Sequence, residues 1–507
     1  MVLLKGGLLI DGAGAAPSVG DLLIDGDRIA ALPASSVDCE SIDCAGLAVA
    51  PGFIDLHSHS DLQVLEGRRE KLKQGVTTEV VGNCGFSPFP YSGDPAALIE
   101  FGAGILGRPD GWGWTRAGGY LDAVGAAPLT VNVQSLIGHG SLRIAVVGPR
   151  QGEVSESELE RMEALLEDAL DAGCAGFSTG LMYAPGSSAG RAELARLCRI
   201  VARKGKLYAT HMRSYSGGLL EAVDEQLDLA REAGCRLQIS HLQAAGRDNW
   251  ALQQRALDAI EQARADGVDV EFDIYPYQCG STVLTQWLPQ SALDGGVNAL
   301  MARLADPAAR SAILDEMARS TRPLWSDVTI SAVATQANAA TVGRTVAEVA
   351  EERGADPAIT VLDLIAEERA AINVISFNQS EDNLRQLLTH PLCSVISDGF
   401  YVKGKPHPRL HGTFPELLGS VVRERGWMPL EQAVHKITAK PAARLGLRDR
   451  GRLAPGLAAD VTVFDPARIS SRATYSNPQA DPVGLRMVIR QGHVVWAEDS
   501  SSVEECV

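Results

Sequence analysis

Long apolar runs are missing from this chain: nothing in its 507 residues approaches the roughly 18 uninterrupted apolar positions that a membrane-spanning helix requires. Cysteine is sparse and unpatterned. The nine present, an odd number without regular spacing, make no disulfide framework and suit a reducing compartment. Positive charge is in deficit, with 46 Lys and Arg against 63 Asp and Glu. The resulting formal charge of −17 argues against nucleic acid or an anionic membrane as the main partner and serves solubility. The first residues carry no basic leader followed by an apolar core and cleavage site, so a cytoplasmic location is expected.

What the sequence does contain is a series of short apolar runs, each ending at a polar side chain. Residues 47–56 end at His57 and His59, 77–81 at Cys84, 130–137 at His139, and 175–179 at Tyr183. The series continues with 207–210 at His211, 236–240 at His241, 268–274 at Tyr275 and 392–397 at Asp398. Between the runs lie amphipathic stretches such as 158–170, whose apolar residues recur at helical spacing. Eight strand–helix alternations predict an α/β fold, a (β/α)8 TIM-like barrel. In that architecture, functional groups collect at the C-terminal strand ends.

A chain of this length exceeds one core of ordinary size, so accessory domains are expected. Residues 1–50 and 446–507 share a texture of short strands and Asp-Gly or Pro-Gly turns, and should pair into one small β-sandwich domain flanking a barrel at 51–445. Over a hundred residues separate Tyr275 from Asp398, far more than a βα connection needs. An insertion at about 280–341, carrying Trp287, Leu288 and Trp325, is expected after the seventh strand as a lid. A helical stretch at 346–369 should then return the chain to the barrel.

Imidazole, thiolate and carboxylate are all zinc ligands, and His-X-His at a strand end aims two imidazoles to one side. His57, His59, Cys84, His211, His241 and Asp398 together can hold one ion tightly and a second more loosely. Cys84 lies in Val-Gly-Asn-Cys-Gly-Phe (81–86), where glycines permit a tight turn that exposes the sulfur. His139 fits either ligation or loop ordering, while His407 and His411 fit contacts to substrate or backbone. Asp398, opening a Ser-Asp-Gly turn after the last strand, is placed to take a proton from metal-bound water. The resulting hydroxide then attacks a carbonyl polarised by the same ion.

With these residues in place, the chain resembles the amidohydrolase superfamily, and within it the N-acyl-D-amino-acid deacylase (D-aminoacylase) branch. Generic marks are Pro-Gly-Phe-Ile-Asp-Leu-His-Ser-His (51–59), Gly-Val-Thr-Thr (75–78) and the segment 451–460. Branch marks are residues 81–87, 180–185, Thr-His-Met-Arg (210–213), Asp-Ile-Tyr-Pro-Tyr (273–277), Pro-His-Pro-Arg (406–409) and Gly-Thr-Phe-Pro (412–415). Many superfamily members bridge two metals with a carboxylated lysine on the fourth strand, but no lysine occurs between Lys73 and Lys204. The resemblance implies that Cys84 takes the bridging place, with His211 and His241 completing a tight zinc site and His57 and His59 a weaker one. It also implies an insertion after the seventh strand that covers the site.

The resemblance further implies that Tyr183, Tyr275 and Arg409 bind the substrate's α-carboxylate. A lysine expected after the sixth strand is replaced by Gln243 in Ser-His-Leu-Gln (240–243). Losing one of two cations against a carboxylate weakens binding by about 1.5 to 3 kcal/mol, roughly ten- to over a hundredfold. The expected activity is zinc-dependent hydrolysis of N-acyl-D-amino acids, with the D preference implied by resemblance alone. The alternative is a related amidohydrolase acting on a cyclic amide, dipeptide or uncharged amide. A non-catalytic scaffold is disfavoured by the complete ligand set. The expected partner is a small-molecule amide, and the oligomeric state is left open.

Overall fold

A computed structural model describes residues 1–32, 39–107, 112–319 and 323–498. Eight parallel strands lie side by side in chain order: β1 Phe53–Asp55, β2 Val76–Val81, β3 Asn132–Gly138, β4 Gly176–Gly180, β5 Leu207–His211, β6 Arg236–Ile239, β7 Val270–Ile274 and β8 Cys393–Val395. The sheet closes beyond the ends of β1 and β8, where Asp398 N donates to His57 O at 2.8 Å and His59 N to Gly399 O at 3.0 Å. Every residue of β2, β4, β5 and β7 is buried, as expected of parallel strands with side chains filling one face and helices covering the other. The seam carries a buried ion pair, Lys71 Nζ to Asp55 Oδ2 at 2.5 Å, and Ser397 N donates to Asp55 Oδ1 at 2.9 Å.

Helices Glu156–Asp171, Arg191–Arg203, Leu219–Ala233 and Leu252–Ala265 follow β3 to β6. The first begins where the sequence provides a capping box: Ser155 Oγ accepts from Glu158 N at 3.3 Å, and Glu158 Oε2 accepts from Ser155 N at 2.7 Å. Its Leu159, Met162, Leu166 and Leu170 are buried, the last three in the barrel's core, at the spacing the sequence predicts.

The run 47–56, expected to be one barrel strand, is two strands in two sheets. Ala48–Pro51 pairs antiparallel with Val461–Phe464, whereas β1 pairs parallel with β2. The break falls at Gly52, where a Cβ would lie 2.1 Å from Thr77 Oγ1, so only glycine lets the chain pass from one sheet to the other. Strands from both chain ends make one eight-stranded sheet, packed over Leu4, Ile24, Val49, Val461 and Ile489.

After β7 the chain leaves the barrel for a three-stranded antiparallel sheet of Cys279–Val283, Val328–Ala332 and Asn373–Phe377. Helices Val346–Arg353 and Pro357–Glu367, expected to lead back to the barrel, instead share a core with this sheet through Val346, Val361, Leu362 and Val374. The excursion therefore extends to Phe377, and the helix Glu381–Thr389 leads the chain back and packs on β8. Helical periodicity gives the element but cannot say which sheet its apolar face covers. Among the described residues, no helix is long and apolar enough to cross a membrane, and none of the cysteines is in a disulfide.

Candidate metal centre and active site

The strand ends converge on one buried point. Cys84, His241 and Asp398 each adopt a left-handed backbone conformation, with φ of 53°, 37° and 48°. Non-glycine residues hold this conformation at a cost on the order of 1 kcal/mol or more, and it turns each side chain inward at the end of its strand. Beside Cys84 the turn is tight: a Cβ on Gly85 would lie 2.7 Å from Gly180 N, and one on Gly82 would lie 2.1 Å from Leu136 O.

The donor atoms fall into two clusters that share a sulfur. His57, His59, Cys84 and Asp398 form one, and Cys84, His211 and His241 the other, with the atoms of each within 4.8 Å of one another. Cys84 Sγ lies 3.2 Å from His57 Nε2 and 3.4 Å from His241 Nε2. His211 Nδ1 is 3.1 Å from His241 Nε2, and Asp398 Oδ1 is 3.4 Å from His57 Nε2 and 3.2 Å from His59 Nε2. All six expected ligands are thus brought together. His139 is in neither cluster; it is buried at 2.7 Å from Glu193 Oε1, which also pairs with Arg143 at 2.6 Å. His407 touches backbone, with Nε2 3.0 Å from Cys279 O.

The electrostatics suit a cation. Burial lowers His59 to about 4, takes His211 to about 3 and drives His241 well below the usual histidine range, so these imidazoles offer lone pairs at neutral pH. Burial pushes the Cys84 thiol up. His57 goes the other way: burial opposes its charge, but Cys84 and Asp398 raise it well above the usual range. A proton on His57 thus answers an anionic demand that a divalent ion would meet. His211 Nδ1 beside His241 Nε2, and Cys84 Sγ beside His57 Nε2, bring together lone pairs that a shared cation would satisfy.

Two groups organise the site from behind. Asp273 Oδ1 accepts from His241 N at 2.7 Å and lies 3.5 Å from His57 Nδ1, so one carboxylate braces candidate ligands that follow β1 and β6. Its function was not read from the sequence, although alternation along β7 places Glu271, Asp273 and Tyr275 on one face. Arg409, 1% exposed, pairs through Nη1 with Asp398 Oδ2 at 2.9 Å. Burial alone would raise the Asp398 carboxyl, but Arg409 and then His57 hold it well below the usual carboxylate range.

A cavity of about 600 Å³ opens over the clusters, with His59, Cys84, His211, His241 and Asp398 in its floor. Of the residues expected to hold a carboxylate, three adjoin one another: Gln243 Nε2 donates to Tyr275 Oη at 3.3 Å, and the Arg409 guanidinium lies 4.6 Å over the Tyr275 ring. Asn378, unforeseen in the sequence, donates to Gln243 Oε1 at 3.2 Å. Tyr183 stands apart, its hydroxyl 3.3 Å from Thr282 Oγ1 and its ring 4.8 Å from His211. Arg409 faces Asp398 and is not among the residues lining the cavity.

A parallel barrel with paired imidazole, thiolate and carboxylate clusters at its C-terminal mouth defines a metal-dependent hydrolase. The amidohydrolase family model matches residues 40–496, and the chain belongs to that family. It is 38% identical to an N-acyl-D-glutamate deacylase of Alcaligenes xylosoxydans xylosoxydans over 98% of this chain and 94% of that one. It is 35% identical to a D-aminoacylase of the same organism over 98% of this chain and 95% of that one. Among solved structures, an N-acyl-D-glutamate deacylase from Bordetella bronchiseptica, complexed with zinc and a phosphonate mimic of the tetrahedral intermediate, superposes with a TM-score of 0.84 at 34% identity, covering 99% of this chain and 97% of that chain. A D-aminoacylase with a binuclear metal centre, in which one metal activates and the second attenuates, also gives a TM-score of 0.84, at 34% identity and the same coverages.

Proposed function

We propose that this protein hydrolyses the amide bond of N-acyl-D-amino acids, releasing a carboxylate and a free D-amino acid. The observation that carries this reading is the pair of donor clusters sharing Cys84, with the Arg409-paired carboxylate of Asp398 at their edge. The D-amino-acid half rests on relatives at 35–38% identity that span nearly the whole chain. Zinc is the metal that the thiolate and imidazoles favour: Cys84, His211 and His241 would hold a tight ion, and His57, His59, Cys84 and Asp398 a second, looser one. When bound, the metal supplies a Lewis acid that polarises the amide carbonyl and acidifies water.

The chain's own residues do the rest. Asp398, kept ionised by Arg409, accepts the proton of the attacking water through a carboxylate oxygen and returns it to the leaving amine nitrogen. Tyr275 and the Gln243–Asn378 amide pair present hydrogen-bonding groups to the amino-acid half, with the Arg409 charge behind the Tyr275 ring. Gln243 can donate to a carboxylate but brings no charge, and it serves a carboxamide equally well.

The test is kcat/KM of the zinc-loaded protein on N-acetyl-D-leucine, its L enantiomer and the D-leucine carboxamide analogue, together with metal content per chain. Turnover of the D acid alone supports the proposal. Turnover of the carboxamide in preference to the acid would replace it with an amidase acting on uncharged amides, for which Gln243 is the fitting residue.

A further inference from the structure

A second cavity, about 140 Å³, lies against the first. Phe86, Ile105, Met182, Tyr183 and Gln286 line both, so the two cavities adjoin along these residues. Two of these stand directly on metal-ligand candidates: the Phe86 ring is 6.4 Å from that of His59, and the Tyr183 ring 4.8 Å from that of His211. Beyond them the walls are mostly apolar, including Phe101, Ile144, Val283, Val297 and Leu300. Among the described residues, the charged ones in the lining, Glu100 and Arg369, are not among those the two cavities share.

Position in the barrel says which end of a substrate this cavity faces. Phe86 follows β2, Ile144 follows β3 and Tyr183 follows β4, so the barrel side of the cavity is centred beyond β3, with Val283, Val297 and Leu300 of the excursion covering it; Gln243, Tyr275 and Arg409 follow β6, β7 and β8, centred on β7. In an eight-stranded barrel, β3 and β7 are diametrically opposite. A trans amide likewise sends its acyl carbon and its amine carbon to opposite sides of the C–N bond. With the carbonyl over the donor clusters and the amino-acid half toward Tyr275, the acyl half runs toward Phe86 and Tyr183.

We infer that the second cavity is an acyl-chain pocket and that the protein selects N-acyl groups of medium length, of about six to eight carbons, over acetyl. This rests on the deacylase reading above. The size follows from packing: an apolar cavity of about 150 Å³ accommodates benzene, a group of six carbons, and this one is about 140 Å³. Each methylene fully removed from water is worth roughly a fourfold gain in affinity. Partial burial of six of them gives at least about tenfold in kcat/KM.

The experiment compares kcat/KM for N-acetyl-, N-hexanoyl- and N-octanoyl-D-leucine in the zinc-loaded protein and in the separate variants Ala97→Phe and Val297→Phe. Both positions line the pocket and are half-buried, so a ring can fill it without disturbing a sealed core. The expected result is an octanoyl-to-acetyl ratio of about ten or more in the wild type, falling toward one in both variants. Turnover of the acetyl substrate with a flat or falling ratio overturns the pocket and leaves the deacylase reading standing. If no acyl length is turned over, the deacylase reading fails, and calorimetry with octanoate and acetate decides the pocket. Preferential octanoate binding that both variants abolish retains it as an apolar-ligand site; equal binding removes it.

Discussion

The Asp398–Arg409 pair makes a quantitative prediction that separates chemistry from stability. Both groups are buried, at 7% and 1% exposure, and are joined at 2.9 Å. Asp398→Asn keeps the shape but removes the proton acceptor, and kcat should fall by at least about 10³-fold. It also leaves a guanidinium buried against a neutral amide. Breaking a buried pair from one side costs about 3 to 5 kcal/mol, so Asp398→Asn and Arg409→Met should each lower unfolding free energy by that order. The double variant should recover most of the loss, because the buried guanidinium is removed together with its carboxylate, while its kcat stays as low as that of Asp398→Asn. Amine release measures kcat, metal analysis checks that zinc is still bound, and urea titration gives the free energies. An Asp398→Asn variant within tenfold of wild-type kcat would refute proton transfer by this carboxylate. Additive losses in the double variant would refute the pair as the source of the cost.

Three other perturbations follow from the same geometry. Gln243→Lys puts a cation beside Tyr275 and should lower KM for N-acyl-D-amino acids roughly ten- to a hundredfold; an unchanged or higher KM counts against the carboxylate being bound there. Cys84→Ser should weaken both metal sites by at least about 100-fold in titrations, since its sulfur belongs to both clusters, whereas His211→Ala should weaken one; loss of a single site in Cys84→Ser contradicts the shared ligand. In metal-free protein, burial lowers His59 from 6.5 to about 4, so the unfolded chain takes up a proton that the folded state refuses. Stability is full above about pH 6.5 and declines as pH falls toward 4, by on the order of 3 kcal/mol from this residue. His59→Gln should flatten that decline in chelator-treated protein, and an unaltered slope would refute the assignment.

Much of this site was legible along the chain because barrel strands are short, buried on both faces and end where chemistry is done. Apolar runs ending at His59, Cys84, His211, His241 and Asp398 therefore mark the convergent mouth without a structure. Legibility failed where one residue type serves two structural ends. The continuous apolar run at 47–56 does not reveal that Gly52 passes the chain between sheets, because the close approach to Thr77 is a tertiary fact. Nor does the helical pattern at 346–367 say that its apolar face covers the inserted sheet instead of the barrel.

The sequence by itself determined the alternation of strand and helix, the candidate ligand types and their order, and the absence of lysine between Lys73 and Lys204, since these depend on local periodicity and residue chemistry. Only the tertiary structure decided that Cys84 lies between two donor clusters, that Arg409 pairs with Asp398, and that Asp273 braces His57 and His241 together. Except for Asp398 and Arg409, which are near neighbours along the chain, those contacts join residues dozens to hundreds of positions apart. They exist because barrel closure brings all eight strand ends around one mouth, and no pattern along the chain encodes the distance between two strand ends.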